Sequence, residues 1–161
     1  MTIALQEIQE HKTLKSPIFR TQIRVIYADT DKMGVVYHAK YLEYFEIGRN
    51  ELLREIGFPY KYLEERGVFL PLIECHLNYL RPAQYDDLIE VHTCITQDPY
   101  KFLRFKIYCE VYQGEKLLAK GYTIHVTSNS EGRPAKPPKD VHQVLFEAMF
   151  GKEGHLKRFD K

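Results

Sequence analysis

Only one stretch of this chain repeats at the period of a long helix, while five alternate at the period of a strand, and that imbalance limits the folds open to it. Over residues 18–27, Phe19, Thr21, Ile23, Val25 and Tyr27 fall on one face and Arg20, Gln22 and Arg24 on the other, the pattern of a half-buried strand. Residues 37–56 change period. Tyr41, Phe45, Gly48, Leu52 and Ile56 recur at spacings of three and four, and Gly57 followed by Phe58-Pro59 supplies a stop. A second, shorter helix is predicted over residues 60–65, ending at Gly67. Alternation returns over residues 70–80, 88–96, 102–112 and 116–127, with Gly114-Glu115 as a tight hairpin between the last two. Residues 129–139, rich in Pro, Gly and Lys, read as a loop or edge extension, and residues 141–150 as a short terminal helix.

One long helix can cover one face of a five-stranded antiparallel sheet and no more. The fold class is therefore α+β, and the sheet's edges need a partner, so a homo-oligomer is expected on physical grounds. The length of 161 residues suits one domain. We place it at residues 17–150, with 1–16 as a polar, frayed or weakly helical lead-in and 151–161 as a charged tail. A hydrophobic fraction of 44 %, with 12 Tyr and 9 Phe, is ample for a core. Twenty-three basic residues against 22 acidic ones exclude a broadly basic surface, and nucleic acid is not an expected partner. Cys75, Cys94 and Cys109 are odd in number, lack C-x-x-C spacing and lie in strand-like runs. They read as buried thiols in a reducing cytoplasm rather than metal ligands or disulfides. With no apolar leader and no run of about 18 apolar residues, neither a signal peptide nor an integral membrane segment is expected.

The chemistry is concentrated in Tyr27-Ala-Asp-Thr-Asp-Lys-Met-Gly-Val-Val-Tyr-His-Ala-Lys-Tyr41, which sets two carboxylates in a loop directly before the long helix. A helix start presents free N–H donors and the positive end of the macrodipole. A thioester carbonyl placed there would meet donors for the negative oxygen that develops on hydrolysis, each worth about 3 kcal/mol. A neighbouring carboxylate would then attack the carbonyl or deprotonate a water. Gly34 lets the backbone approach without a Cβ in the way. Read from the residues alone, an Asp-rich loop before a helix is also the common pattern of caps and turns.

The segment Tyr27-x-Asp29-Thr30-Asp31-x-x-Gly34-Val35-Val36-Tyr37-His38-x-x-Tyr41, then Phe45-Glu46 and Arg49, resembles the signature of the 4-hydroxybenzoyl-CoA thioesterase branch of the hot-dog superfamily. That branch includes the acyl-CoA thioesterases encoded beside bacterial Tol-Pal genes. Further matches are Tyr79, Arg81-Pro82-Ala83 and Asp86-Asp87, and the resemblance runs from about residue 23 to 139. It implies a hot-dog fold, acyl-CoA as substrate, no metal or redox cofactor, and subunits paired edge to edge as a dimer or a dimer of dimers with sites at the interface. Asp31 matches the catalytic carboxylate, as nucleophile or general base, and His38 the position whose backbone N–H polarises the carbonyl. Gly34, Tyr41 and Glu46 fall on matching substrate-site positions. Lys101 takes the place of a residue that touches the CoA phosphates, although Pro99 and Tyr100 replace the basic residues before it.

Each residue also has a plainer reading. Asp29 suits a loop-shaping acceptor, Tyr41 core packing, Lys101 an ordinary solvated charge, and Glu46 and Arg49 a helix-surface pair worth about 0.5 kcal/mol at most. The Asp29-x-Asp31 pattern after a strand is also similar to the opening of haloacid-dehalogenase-type phosphatases. Those need alternating helices and strands that this chain lacks. A non-catalytic acyl-binding module, and hydrolysis of acyl-carrier-protein thioesters, are the remaining alternatives.

Overall fold

The computed structural model describes residues 14–15, 18–97 and 104–150. Its strands are β1 (Leu14–Lys15), β2 (Phe19–Arg24), β3 (Leu72–Tyr79), β4 (Leu88–Gln97), β5 (Arg104–Gln113) and β6 (Lys116–Val126). Its helices are α1 (Lys40–Glu55), α2 (Tyr60–Glu65) and α3 (Lys139–Phe150). All strand pairs are antiparallel, in the order β3-β6-β5-β4, and β1 and β2 both lie along the free side of β4. The sheet is in effect five strands wide. With α1 laid across it, this is the α+β hot-dog arrangement that the resemblance implies.

The periodicity of α1 decides its seat. Tyr41, Tyr44, Phe45, Gly48, Leu52 and Leu53 are buried, and the helix packs chiefly on β2 and β4, against Val25, Ile89 and Val91. Full burial of side chains such as Phe45 and Leu52 contributes about 2 kcal/mol each. Gly48 permits the close approach, since a Cβ there would stand 2.8 Å from Val91 Cγ1 and 2.9 Å from Thr93 Cγ2. Both α1 and α2 end in the same way. After α1, Phe58 N–H donates to Leu53 O and Gly57 N–H to Arg54 O; after α2, Val68 N–H donates to Leu63 O and Gly67 N–H to Glu64 O. These are Schellman closures with a left-handed glycine, at φ 85° and 72°, and a buried apolar pair on each.

Several expectations need correcting. The alternation of β2 stops early, because residues 27–29 form a 3-10 turn, and Tyr27 is thrown out to solvent. The lead-in was not expected to pair, yet Leu14–Lys15 bridge Gln97 and Thr96; two residues carry too little pattern to be recognised. Residues 1–13 and 151–161 lie outside the described residues. Cys94 and Cys109 are buried free thiols as expected, whereas Cys75 is exposed because α1 packs chiefly on β2 and β4 and leaves β3 uncovered, with seven of its eight residues exposed. No helix among the described residues is long and apolar enough to cross a membrane.

Candidate active site

The loop between β2 and α1 folds back on itself. Thr30 bridges Val36, Asp31 N–H donates to Val35 O, and Tyr37 N–H donates to Asp29 O. Gly34 takes the turn at φ 77° with nothing within 4 Å of where a Cβ would stand. A second loop cradles it. Ala83, fully buried, accepts from Val36 N–H, while Gln84 bridges Val35 and is itself held by the Asp87 carboxylate. Ala83 and Asp87 of the two further matches thus have a local purpose, which is to support the return arm that feeds α1, while Arg81 ties the second loop to the Leu117 and Leu118 carbonyls.

The two aspartates have different surroundings. Asp29 is buried and accepts from Tyr44 Oη at 2.8 Å, with Lys40 Nζ 3.6 Å from its other oxygen. It ties the loop to the first turns of α1, the loop-shaping role expected of it. Burial and the Asp29 carboxylate together push the Tyr44 phenol far above its ordinary pKa, so Tyr44 stays a donor. Asp31 stands half-buried at the turn, with Oδ1 accepting from Met33 N–H at 2.8 Å and Oδ2 making no hydrogen bond among the described residues. A charge-assisted bond to backbone N–H fixes the carboxylate through one oxygen and leaves the other unbonded among the described residues.

His38 and Ala39 precede α1, and their N–H groups find no acceptor among the described residues. The Tyr37 carbonyl is held by Lys40 N–H and the His38 carbonyl by Tyr79 Oη at 2.8 Å. The His38 ring is exposed and rests on Tyr37, with centroids 4.2 Å apart. Tyr41 is 2 % exposed and packs in the core; its hydroxyl accepts from Ala83 N–H, and its ring meets Tyr79 and Tyr44 edge-on. Burial raises the Tyr41 pKa, as it does that of Tyr79. Around the loop, Tyr27, Met33, Tyr37 and Tyr85 form an exposed apolar rim.

Glu46 is exposed on α1, and the expected pair with Arg49 is not made, since no carboxylate lies within 4 Å of Arg49 among the described residues. Arg49 turns inward instead, over the Tyr60 ring and 3.5 Å from His125 Nε2. The fully buried His125 sits 3.0 Å from the Leu70 carbonyl through Nδ1, so Nδ1 carries the proton and Nε2 accepts. Burial, aided by Arg49, pulls its pKa down to about 4. Lys101 lies outside the described residues. Tyr44 and Lys40 were missed as site residues. The readable signal was a tyrosine three residues from Tyr41 on the buried face, whose hydroxyl needs a partner.

A family model described as the thioesterase-like superfamily matches residues 25–145. Bacillus subtilis YneP is 41 % identical over 78 residues, 48 % of this chain and 56 % of YneP. An acyl-CoA thioesterase, YbgC, of Helicobacter pylori is 34 % identical over 132 residues, 76 % of this chain and 96 % of YbgC. This chain therefore spans little more than half of the first relative and nearly all of the second. The crystal structure of a probable thioesterase from Bartonella henselae, 37 % identical, superposes with a TM-score of 0.71 over 76 % of this chain and 100 % of that one.

Proposed function

The chain belongs to the thioesterase-like superfamily, and we propose that it hydrolyses acyl-CoA to the free acid and CoA, with Asp31 as the catalytic carboxylate. The observation that carries this reading is a half-buried carboxylate, pinned through one oxygen, in the loop that feeds a helix start with unpaired N–H groups. The thioester carbonyl binds at the His38 N–H, where the helix dipole adds to the donor. Asp31 Oδ2 attacks the carbonyl carbon, or removes a proton from the water that does. The developing oxyanion is held by the backbone donors and collapses as the C–S bond breaks; where Asp31 is the nucleophile, water then opens the acyl–Asp31 anhydride, releasing the acid and restoring the carboxylate. The thiolate leaves without a strong general acid, and no metal or redox cofactor takes part. Gly34 keeps the approach open, Tyr41 backs the site as a wall, and Glu46 borders the acyl group along α1. Lys101 meets the CoA phosphates.

Pairing of β3 with β3 of a second copy accounts for an eight-residue edge that exposes Leu72, Ile73 and Tyr79 at about half their surface. The tyrosines of the outer sheet face, Tyr108 and Tyr122, suit a further contact between such dimers, giving a tetramer. Three free cysteines suit the reducing cytoplasm.

The test is CoA release across short, long and aromatic acyl-CoAs, with the same acyl groups on an acyl-carrier protein in parallel. Turnover of CoA thioesters supports the proposal. Turnover of the carrier-protein thioesters alone moves the substrate to that class, and binding without turnover by either would leave an acyl-binding module.

A further inference from the structure

We propose that Tyr79 is a positioning residue for the oxyanion donors, an inference that rests on the thioester-hydrolase reading above. The starting point is the bonding of the first turn of α1. Lys40 N–H closes on Tyr37 O and Leu42 N–H on Ala39 O, so both helical bonds skip the carbonyl between them, that of His38. Its hydrogen-bond partner is Tyr79 Oη at 2.8 Å, from a residue 41 positions away on β3. An unbonded carbonyl here would leave the His38–Ala39 peptide free to rock, and the Ala39 N–H belongs to that peptide. The neighbouring His38 N–H shares its Cα. One phenol therefore sets the plane of the peptide that carries the Ala39 N–H, the helix-start donor next to that of His38. By bonding the carbonyl it also polarises that N–H, while Lys40 N–H holds the preceding peptide through the Tyr37 carbonyl.

The placement of Tyr79 serves this use rather than core filling. Its ring is half exposed, with one edge against the buried Tyr41 at 5.4 Å between centroids, and Tyr41 is in turn fixed through its hydroxyl to Ala83 N–H. Tyr44 continues the row and reaches Asp29. The carboxylate loop and the helix-start donors are thus tied to one ladder of tyrosines. Tyr79 is the member of that ladder on the unpaired strand edge, so the same residue belongs to the surface where a second copy would pair.

Tyr79→Phe keeps the ring and removes the donor. Loss of an oxyanion donor outright costs about a hundredfold or more in kcat. Loss of its support, with the donor still present, is expected to cost about tenfold in kcat with KM changed less than about twofold. Sedimentation and thermal unfolding should stay those of the parent. A merely structural role would not change the bound carbonyl, so the deciding readout is its stretching frequency, measured by isotope-edited infrared difference spectra of an acyl-CoA ¹³C-labelled at the thioester carbonyl. Bound to Asp31→Asn, the carbonyl is expected to shift to lower frequency than in water; bound to Asp31→Asn/Tyr79→Phe, a substantial part of that shift should be lost. An equal shift in both complexes, or an unchanged kcat in Tyr79→Phe, overturns the proposal. Absence of any shift with Tyr79 intact would instead remove the oxyanion site itself, and the positioning role with it.

Discussion

Replacing Gly48 by alanine tests how α1 is seated, and the result can be worked from two distances. An alanine Cβ would lie 2.8 Å from Val91 Cγ1 and 2.9 Å from Thr93 Cγ2. Non-bonded carbons rest at about 3.5–4.0 Å, so both contacts are short by about 0.6 Å or more. The two methyls belong to β-branched side chains with restricted rotamers, and both residues are fully buried. Relief must come from α1 lifting off the sheet. Overpacking of this kind costs about 1–3 kcal/mol, while glycine to alanine inside a helix returns about 1 kcal/mol. The net is a destabilisation of about 1 kcal/mol, or a fall in Tm of about 2–4 °C for a chain of this size. Urea unfolding at fixed protein concentration should be run on the parent, Gly48→Ala, Thr93→Ser and the double variant. Thr93→Ser deletes Cγ2 and keeps the hydroxyl, so a favourable coupling of about 0.5–1 kcal/mol is expected between the two changes. A Gly48→Ala protein more stable than the parent by the full helix-propensity gain would refute the close approach.

Other outcomes follow from the same structure. The His125 pKa is held near 4 in the folded protein against 6.5 in the unfolded chain, so between those values the unfolded state binds the extra proton. Stability is full above about pH 6.5 and falls by about 3 kcal/mol as the pH drops to 4; unfolding curves of parent and His125→Asn should diverge over that window and not above it. Ile73→Lys places a charge on the exposed β3 edge and should shift the protein toward monomer in sedimentation velocity, whereas an unchanged assembly would place the contact elsewhere. Tyr44→Phe leaves the Asp29 carboxylate buried without its closest donor and should cost about 1–3 kcal/mol in urea unfolding. Single turnover in H₂¹⁸O tests the nucleophile role open to Asp31. Label in the protein carboxylate means a covalent acyl–Asp31 anhydride opened by water at the Asp31 carbonyl carbon. Label confined to the released acid is shared by an activated water and by anhydride opening at the acyl carbon, so trapping the acyl–enzyme with hydroxylamine then tells the two apart.

The elements were legible because their residues respond to local rules. The change from period two to period 3.6 at Tyr41 marks α1, and Gly57 and Gly67 end their helices where a positive φ is required. The place of the Asp29-x-Asp31 loop was legible too, because its spacing sets two carboxylates before a helix start. What escaped is what the tertiary fold alone decides. Nothing near Tyr79 in sequence shows that its hydroxyl meets the His38 carbonyl, and Glu46 and Arg49 at ideal pairing distance stay apart because His125 and Tyr60 draw the guanidinium inward. The alternation of β3 predicts a buried face, yet α1 packs chiefly on β2 and β4 and leaves that face uncovered, and Cys75 with it.

Whether Asp31 carries out the hydrolysis is read from CoA release by the parent and Asp31→Asn on the same acyl-CoA. Asparagine keeps the side chain's shape and its bond to Met33 N–H while removing the charge. A loss of at least about a hundredfold in kcat is expected for Asp31→Asn, typical of a lost general base or nucleophile, with the fold and assembly unchanged. Equal turnover by both proteins would contradict it and place the catalytic group elsewhere.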